Sequence, residues 1–176
     1  MYFKKIIGKK CYLSPIDLND SVKFTKWVND LEVANFLSFA SSSFTLGKEI
    51  DFLVNASKEH NYEIIDIDTD VSIGCCDFHN ISNLNHTAEI GIFIGDKDFW
   101  GRGYGTEALS LLIDYGFRKL NFNNVMLLVL SFNERAVRLY EKLGFKKIGE
   151  RRKAMKRDLI WHNIIYMDLL PEDFYK

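Results

Sequence analysis

The sequence predicts an α/β fold of the α+β kind, in which one domain of 176 residues is built on a mixed sheet. Segments in which apolar residues alternate are interspersed with segments of helical spacing, in the order β-α-α-β-β-β-α-β-α-β-β. Apolar residues make up 47% of the chain and it has only two prolines, as is typical of a globular protein with a substantial core. Because domains commonly have roughly 100 to 200 residues, we expect residues 1–176 to form a single domain.

The composition excludes several classes of partner. Lys plus Arg number 23 and Asp plus Glu number 24, so the chain has almost no net charge that would attract a nucleic acid or a membrane surface. No stretch approaches the ~20 apolar residues that span a bilayer, and residues 1–8 are too short for a signal peptide, so we expect a cytoplasmic protein. Cys11, Cys75, Cys76 and four scattered histidines lack the spacing of a disulfide framework or a metal site, so we expect no metal.

The N-terminal segment predicts one strand followed by one helix. Residues 11–14 form a short strand that stops at Pro15, because proline favours a turn there. A helix begins at Asp17, since apolar residues then recur at helical spacing. These residues are Leu18, Val22, Phe24, Trp27 and Val28.

The next segment predicts a second helix and three strands. Thr45 is a good N-cap for a helix that ends near His60. The predicted apolar face of this helix consists of Ile50, Phe52, Leu53 and Ala56. β-branched and aromatic residues then predict strands at 62–67, 71–78 and 87–94.

The C-terminal half predicts two helices and three strands. Helical spacing extends from Thr106 to Lys119, after a polar and glycine-rich loop. Residues 123–130 are nearly all apolar, which is typical of a central strand covered on both faces. Asn133 is a good N-cap for a short helix that Gly144 ends. The last two predicted strands are 145–155 and 159–169.

The strongest signal for function is the loop at residues 100–106, between a predicted strand and a predicted helix. Gly101, Gly103 and Gly105 permit a close backbone approach, and the helix adds unpaired amides and a positive dipole end. This combination suits a phosphate group, and a tight turn without a ligand is the alternative. A dinucleotide-binding fold needs an acidic residue at the end of the next strand, and this sequence has none there. A Walker-type phosphate loop needs the pattern GxxxxGK[ST], which the sequence does not contain.

Two segments resemble the signature motifs of the GCN5-related N-acetyltransferase (GNAT) superfamily. They are FWGRGYGTEA at 99–108 and NERAVRLYEKLGF at 133–145. The opening and the ending of the chain resemble the branch that contains ribosomal-protein N-terminal and spermidine acetyltransferases. The resemblance covers nearly the whole chain and implies a GNAT-like fold. In that fold the mixed, mostly antiparallel sheet is flanked by helices and has two splayed central parallel strands, here 87–94 and 123–130.

The resemblance also implies acetyl-coenzyme A (acetyl-CoA) as the co-substrate. Backbone amides of five loop residues would bind its pyrophosphate, and these residues are Arg102, Gly103, Tyr104, Gly105 and Thr106. The pantetheine arm would bind the strand end at Phe93, Ile94 and Gly95. Trp100 stands where the family pattern has Gln or Arg, so a polar contact is missing there. Asn133 matches an asparagine near the pantetheine, and a helix cap is its other role.

The resemblance implies two catalytic residues. Tyr140 matches a tyrosine that donates a proton to the coenzyme sulfur, although a core aromatic is the alternative. Glu89 matches an acid that takes the amine proton directly or through water, and a surface carboxylate paired with Lys or Arg is the alternative. His79 and His86 are reserve candidates for the base. The cysteines are not next to the loop in sequence, so we expect direct attack in a ternary complex without an acetyl-cysteine.

The acceptor amine stays open among protein N-termini, polyamines and small molecules. An acidic set could recruit a cationic amine, and it consists of Asp30, Glu32, Asp66, Asp68 and Asp70. A basic set could meet an anionic surface or be a solvated strand face, and it consists of Lys146, Lys147, Arg151, Arg152, Lys153, Lys156 and Arg157. A non-catalytic acyl-CoA-binding sensor or interaction module is the alternative function. The resemblance alone implies a possible homodimer.

Overall fold

The structure is a computed structural model that describes residues 1–38 and 40–176. Elements are numbered in chain order within these residues. The strands are β1 (Ile6–Ile7), β2 (Cys11–Pro15), β3 (Asn61–Asp66), β4 (Ser72–Ser82), β5 (Thr87–Ile94), β6 (Asn124–Leu130), β7 (Lys146–Arg157) and β8 (Ile160–Leu169). The α-helices are α1 (Ser21–Asn29), α2 (Leu31–Ala34), α3 (Leu46–Ala56), α4 (Tyr104–Lys119), α5 (Glu134–Lys142) and α6 (Pro171–Phe174).

The strands follow the order β1-β2-β3-β4-β5-β6-β8-β7 in a mixed sheet. Antiparallel ladders join β1 to β2, β2 to β3, β3 to β4, β6 to β8 and β7 to β8. A short parallel ladder joins Thr87 and Glu89 of β5 to Asn124 and Met126 of β6, as expected of two strands that splay apart. The predicted fold class is therefore confirmed. In the described part of the chain no helix is long and apolar enough to cross a membrane.

The chain divides into two compact units. Unit 1 comprises residues 1–78 and 91–115, and unit 2 comprises residues 79–90 and 116–176. Each unit buries its own set of apolar side chains, and each fully buried Leu, Ile or Phe contributes about 1.5 to 3 kcal/mol. In unit 1 these side chains include Tyr12, Leu13, Phe24, Ile64, Ile65, Leu109 and Leu112. In unit 2 they include Val125, Leu127, Met167 and Leu169.

The buried faces of α1 and α3 differ from the predicted ones. In α3 the buried residues are Glu49, Leu53 and Ala56, which are spaced four and three residues apart on one face. Ile50 and Phe52 were expected inside, but they are 37% and 56% exposed. Leu18 and Val22 are likewise exposed, whereas Phe24 and Val28 of α1 are buried as expected. A carboxylate thus occupies a core position of α3, while two large apolar side chains on α3 face solvent.

Several predicted boundaries also change. Residues 18–20 form a 3-10 turn, in which the Asp17 carboxylate accepts a hydrogen bond from the Asn19 amide, so α1 begins only at Ser21. Helix α3 ends at Ala56 rather than near His60, and α4 begins at Tyr104 rather than Thr106. Leu128 of β6 is 43% exposed, so the expectation that this strand is covered on both faces was wrong.

Both predicted N-caps are confirmed. The Thr45 hydroxyl accepts a hydrogen bond from the Lys48 amide at 3.2 Å, and the Asn133 side chain accepts one from the Ala136 amide at 3.2 Å. These bonds satisfy amides that have no carbonyl partner in the first turn of α3 and α5.

Candidate functional site

The glycine loop of unit 1 leads directly into α4. Gly101 and Gly103 have φ values of +75° and +87°, a backbone region that favours glycine. The Glu107 amide donates to the Gly103 carbonyl at 3.1 Å, which closes the first helical turn. The amides of Tyr104, Gly105 and Thr106 therefore lie in the first turn, where the helix offers them no carbonyl. A Cβ at Gly101 would have no atom within 4 Å, so space is open beside the loop.

Lys10 lies beside this loop, and the sequence analysis missed it. Its ammonium group donates a hydrogen bond to the Arg102 carbonyl at 2.7 Å. The same nitrogen lies 3.5 Å from the position that a Cβ on Gly103 would take. A positive charge here adds to the positive end of the helix dipole, and both attract an anion. The residues present therefore fit a pyrophosphate.

Glu107 of α4 holds the turn between β1 and β2. Its Oε1 atom accepts hydrogen bonds from the amides of Lys9 at 2.6 Å, Lys10 at 2.7 Å and Cys11 at 3.3 Å. A Cβ on Gly8 would lie 2.4 Å from the same oxygen, so only glycine fits there without a shift. This contact places Lys10 beside the loop.

Tyr104 and Trp100 anchor the two sides of the loop. The Tyr104 hydroxyl donates to the Asp66 carboxylate at 2.6 Å, and this bond raises the pKa of Tyr104 to about 12. The Trp100 indole N–H donates to the Ile94 carbonyl at 2.8 Å. Trp100, which departs from the family pattern, therefore fastens the loop to the end of β5.

At the strand end formed by Phe93, Ile94 and Gly95, some backbone groups already form hydrogen bonds within the protein. The Gly95 amide donates to the Ile73 carbonyl at 2.9 Å, so it points toward β4. Successive amides of a strand point to opposite sides, and the Ile94 amide therefore points away from β4. The Ile94 carbonyl already accepts the Trp100 indole. Among these groups, the Ile94 amide is the one directed to receive a ligand.

Glu89 of unit 2 lies with two neighbours from β4. Its carboxylate accepts a hydrogen bond from the Asn80 side chain at 3.0 Å and lies 3.5 Å from Nε2 of His79. The Glu89 side chain is 22% exposed, while Ala88 and Ile90 on either side are buried. Glu89 therefore faces away from the core, as predicted, and among the described residues no Lys or Arg forms an ion pair with it.

His86 lies elsewhere in unit 2. It adopts a φ of +54° and its carbonyl accepts the Asn123 amide at 2.7 Å. It lines a surface cavity of about 490 Å³ together with residues that include Phe117 and Arg118. Of the two reserve histidines, the structure therefore brings only His79 to Glu89.

Tyr140 lies on the buried face of α5. It is 8% exposed, and its ring packs edge-on against Phe145 with centroids 5.7 Å apart. Burial raises the pKa of Tyr140 to about 12, so the phenol stays protonated at neutral pH. Within the residues that the structure describes, no hydrogen-bond partner reaches its hydroxyl. The hydroxyl is therefore free to donate to a ligand.

Four carboxylates of the acidic set have local partners. Lys97 pairs with Asp30 and Glu32 at 2.8 Å each. Asp66 accepts from Thr69 and Tyr104, and Asp70 accepts from the Tyr12 hydroxyl. Recruitment of a cationic amine by the acidic set stays a prediction, and local partners already engage Asp30, Glu32, Asp66 and Asp70.

The basic set lies along β7, where most side chains are exposed. Lys146 pairs with Asp173 at 2.8 Å and Lys147 pairs with Glu150. The structure therefore favours a solvated strand face over an organised anion site.

The cysteines remain thiols. Cys11, Cys75 and Cys76 are free, and burial raises the pKa of each above its ordinary value. A protonated thiol is a poor nucleophile, which agrees with direct transfer. In the described part of the chain no group of three or more His, Cys, Asp or Glu could hold a metal ion.

Comparisons with known proteins identify the family of the chain. A family model described as "Acetyltransferase (GNAT) domain" matches residues 10–146. The uncharacterized N-acetyltransferase p20 of Bacillus licheniformis is 32% identical over 92% of this chain and 93% of its own length. The putative ribosomal N-acetyltransferase YdaF of Bacillus subtilis is 33% identical over 57% of this chain and 55% of its own length.

A solved structure shows the same fold. The spermidine N-acetyltransferase of Vibrio cholerae, in complex with CoA and spermine, superposes with a TM-score of 0.85. It covers 96% of this chain and 100% of the other at 20% identity. The family model and the p20 match together show that the chain belongs to the GNAT family and is an N-acetyltransferase.

Proposed function

We propose that the chain transfers the acetyl group of acetyl-CoA to a primary amine by direct attack in a ternary complex. The glycine loop carries the proposal, because left-handed glycines, first-turn amides and Lys10 form a cradle for a diphosphate. Acetyl-CoA would supply the acetyl group as a thioester. The non-catalytic alternative is not favoured, since the family model and the relatives are those of acetyltransferases.

Each part of unit 1 has a role in this proposal. The amides of residues 102–106 and the Lys10 ammonium bind the pyrophosphate. The Ile94 amide, which points away from β4, binds the pantetheine or polarises the thioester carbonyl. Phe93 and Gly95 flank this amide, and the hydrogen bond from the Gly95 amide to the Ile73 carbonyl holds the strand end to β4.

In unit 2, Glu89 accepts the proton of the attacking amine, directly or through water. The hydrogen bond from Asn80 fixes the orientation of its carboxylate, and His79 is the second group within reach of it. Asn133 uses its side-chain oxygen as the cap of α5, which leaves its Nδ2 to donate to the pantetheine.

Tyr140 donates a hydrogen bond to the departing sulfur. With a pKa of about 12, its phenol is a weaker acid than a thiol, which ordinarily titrates near 8.5. Full proton transfer would therefore cost roughly 5 kcal/mol at 1.36 kcal/mol per pKa unit. We infer that the hydroxyl stabilises the thiolate by a hydrogen bond, and that the final proton comes from solvent.

The names of the relatives indicate that the acceptor is an amine. YdaF is named as a ribosomal N-acetyltransferase, and the Vibrio cholerae enzyme as a spermidine acetyltransferase. Both names describe acetylation of an amine, and we propose a primary amine for this chain. We treat residues 1–176 as one acetyltransferase domain, and we expect it to form a homodimer.

The test is thiol release from acetyl-CoA in the presence of spermidine, an aminoglycoside and peptides with free N-termini. Amine-dependent release supports the proposal, and release that no amine stimulates contradicts it.

Tyr140→Phe should lower kcat about 10-fold to 1000-fold with little change in the Kd of acetyl-CoA. Tyr175→Phe is the matched control, because Tyr175 is an exposed tyrosine with no role in the proposal. Equal kcat values for the two variants would remove Tyr140 from the mechanism.

A further inference from the structure

Strand β6 of unit 2 has one buried face and one open face. Val125, Leu127 and Val129 are 0%, 1% and 5% exposed, so they lie on the buried face. Successive side chains of a strand point to opposite sides of the sheet, which places Leu128 on the other face. Leu128 is 43% exposed, although β6 has a neighbouring strand on each side. A large apolar side chain in the interior of the sheet therefore faces solvent.

Glu89, the base in the proposed function, lies on the same open face. Glu89 of β5 pairs with Met126 of β6 in the parallel ladder, and paired residues project from the same side of a sheet. Met126 comes two residues before Leu128, so both side chains share the open face at a separation of about 6.6 Å along β6. The open face of β6 is therefore continuous with the carboxylate that would receive the proton of the acceptor.

Residues of β8 and β7 extend this face away from Glu89. Leu128 pairs with Tyr166 of β8, and Tyr166 pairs with Gly149 of β7. Tyr166 is partly exposed, and a Cβ on Gly149 would have no atom within 4 Å. We call Leu128, Tyr166 and Gly149 the apolar row. Because neighbouring strands are about 4.8 Å apart, the row is about 10 Å long, which is enough for an alkyl chain of several carbons.

Carboxylates border the apolar row on the side of Glu89. Met126 pairs with Asp168 of β8, so Asp168 projects from the open face together with Glu89. The Asp168 carboxylate accepts a hydrogen bond from the Asn124 side chain at 2.9 Å, which fixes its position. Negative charge beside an apolar surface suits a molecule in which an ammonium group is attached to an apolar chain or ring.

We propose that the apolar row is a subsite that selects acceptors by the apolar group attached to the reacting amine. The inference rests on the proposed function, in which Glu89 accepts the proton of that amine. The amine lies at Glu89, and the chain or ring that carries it crosses β6 over Leu128 toward Tyr166 and Gly149. Binding then removes apolar surface of both molecules from water, and Leu128 and Tyr166 determine the specificity of the enzyme.

The test measures kcat/KM for ethylamine, 1-aminobutane and 1-aminohexane, which carry the same single charge and differ in apolar length. Full burial of one methylene group corresponds to about a fourfold gain in binding, and we expect about twofold to fourfold per carbon on this open face. The kcat/KM for 1-aminohexane should therefore exceed that for ethylamine at least tenfold. Equal values for the three amines would overturn the subsite.

Two variants change the apolar row without touching Glu89. Leu128→Asn removes the central apolar side chain, and Gly149→Val fills the open space beside Tyr166. Each should reduce the ratio of kcat/KM for 1-aminohexane to that for ethylamine by about fivefold, and Gly149→Val decides if Leu128→Asn does not fold. Leu84→Asn is the matched control, because Leu84 is an exposed leucine in the turn before β5, and it should leave the ratio unchanged.

Two other occupants of the open face give different results. If Leu128→Asn raises the Kd of acetyl-CoA and leaves the ratio unchanged, Leu128 contacts the coenzyme and the subsite is overturned. If it changes the mass of the protein in sedimentation and leaves the ratio unchanged, a second copy of the chain covers the face and the subsite is again overturned.

A binding measurement separates this inference from the proposed function. Titration with 1-aminohexane in the absence of acetyl-CoA, followed by NMR, reports binding of the acceptor alone. If no amine is acetylated but 1-aminohexane binds the wild type more tightly than Leu128→Asn, the proposed function fails and the subsite stands. If amines are acetylated but the two proteins bind 1-aminohexane equally and show the same ratio, the subsite fails and the proposed function stands.

Discussion

Replacing Gly95 with alanine tests the packing that holds the end of β5. A Cβ at this position would lie 2.1 Å from Cδ2 of Trp27 and 2.5 Å from two other atoms of the indole. Ordinary van der Waals contact begins near 3.4 Å, so the ring or the strand must move by about 1.3 Å, the difference between 3.4 and 2.1 Å, to restore it. The indole also packs against Phe24 and Phe93, which limits its retreat.

The expected cost lies at the upper end of that of overpacking a core. Added methyl groups in close-packed sites cost about 1 to 3 kcal/mol, and both neighbours of the indole are aromatic here. We expect Gly95→Ala to lower the free energy of unfolding by about 3 kcal/mol. For a chain of this size, a loss of 3 kcal/mol lowers Tm by roughly 6 to 12 °C.

The assay is a double-mutant cycle of thermal or urea unfolding. Trp27→Ala alone removes the ring and destabilises the protein by its own lost contacts. In the Trp27→Ala background, Gly95→Ala should cost less than about 0.5 kcal/mol, because the clashing atoms are gone. If Gly95→Ala costs the same in both backgrounds, the close approach of the indole is not the cause and the reasoning is refuted.

Three further predictions follow from the same unit. Gly103→Val should raise the Kd of acetyl-CoA about 100-fold or more, as measured by calorimetry, while folding survives, because only Lys10 lies near the new Cβ and the main cost is the positive φ. Glu107→Ala should destabilise the protein by about 2 kcal/mol and speed amide exchange at residues 9–11, and unchanged exchange would contradict the proposed anchoring. Burial raises the pKa of Glu63 from 4.5 to about 7, so the folded state holds a proton that the unfolded chain releases. The free energy of unfolding should therefore fall by up to about 3 kcal/mol between pH 4.5 and 7, and urea titrations of Glu63→Gln should lack this slope.

Local patterns predicted the elements whose signals lie within a few residues. Strand β5 has the predicted bounds of 87 and 94, because alternation of Ala88, Ile90 and Ile92 with their neighbours is regular. Thr45 and Asn133 were identified as caps because a capping side chain and its amide are three residues apart. Strand β1 and the helices α2 and α6 have two to four residues, which are too few to show periodicity.

Contacts between distant segments could not be predicted in this way. Lys10 and Glu107 are 97 positions apart, and no local pattern connects them. The buried face of α3 was misassigned because Ile50 and Phe52 are more apolar than Glu49. Hydrophobic periodicity assumes that a helix buries its most apolar side, and α3, which buries the Glu49 carboxyl group, violates this assumption.

The tie between Glu107 and the β1–β2 turn changes how N-terminal deletions should be interpreted. The first ten residues include no residue of the two signature motifs, so a deletion that starts the chain at Cys11 would look harmless. Such a shortened chain would nevertheless lose Lys10 and two of the three amides that Glu107 binds. Glu107 would then keep only the nitrogen of residue 11 as a partner, so it could no longer hold the β1–β2 turn beside the loop as it does in the full chain. Weak coenzyme affinity in a trimmed enzyme would therefore report the loss of Lys10 and of the loop's support together, rather than a separate N-terminal binding site.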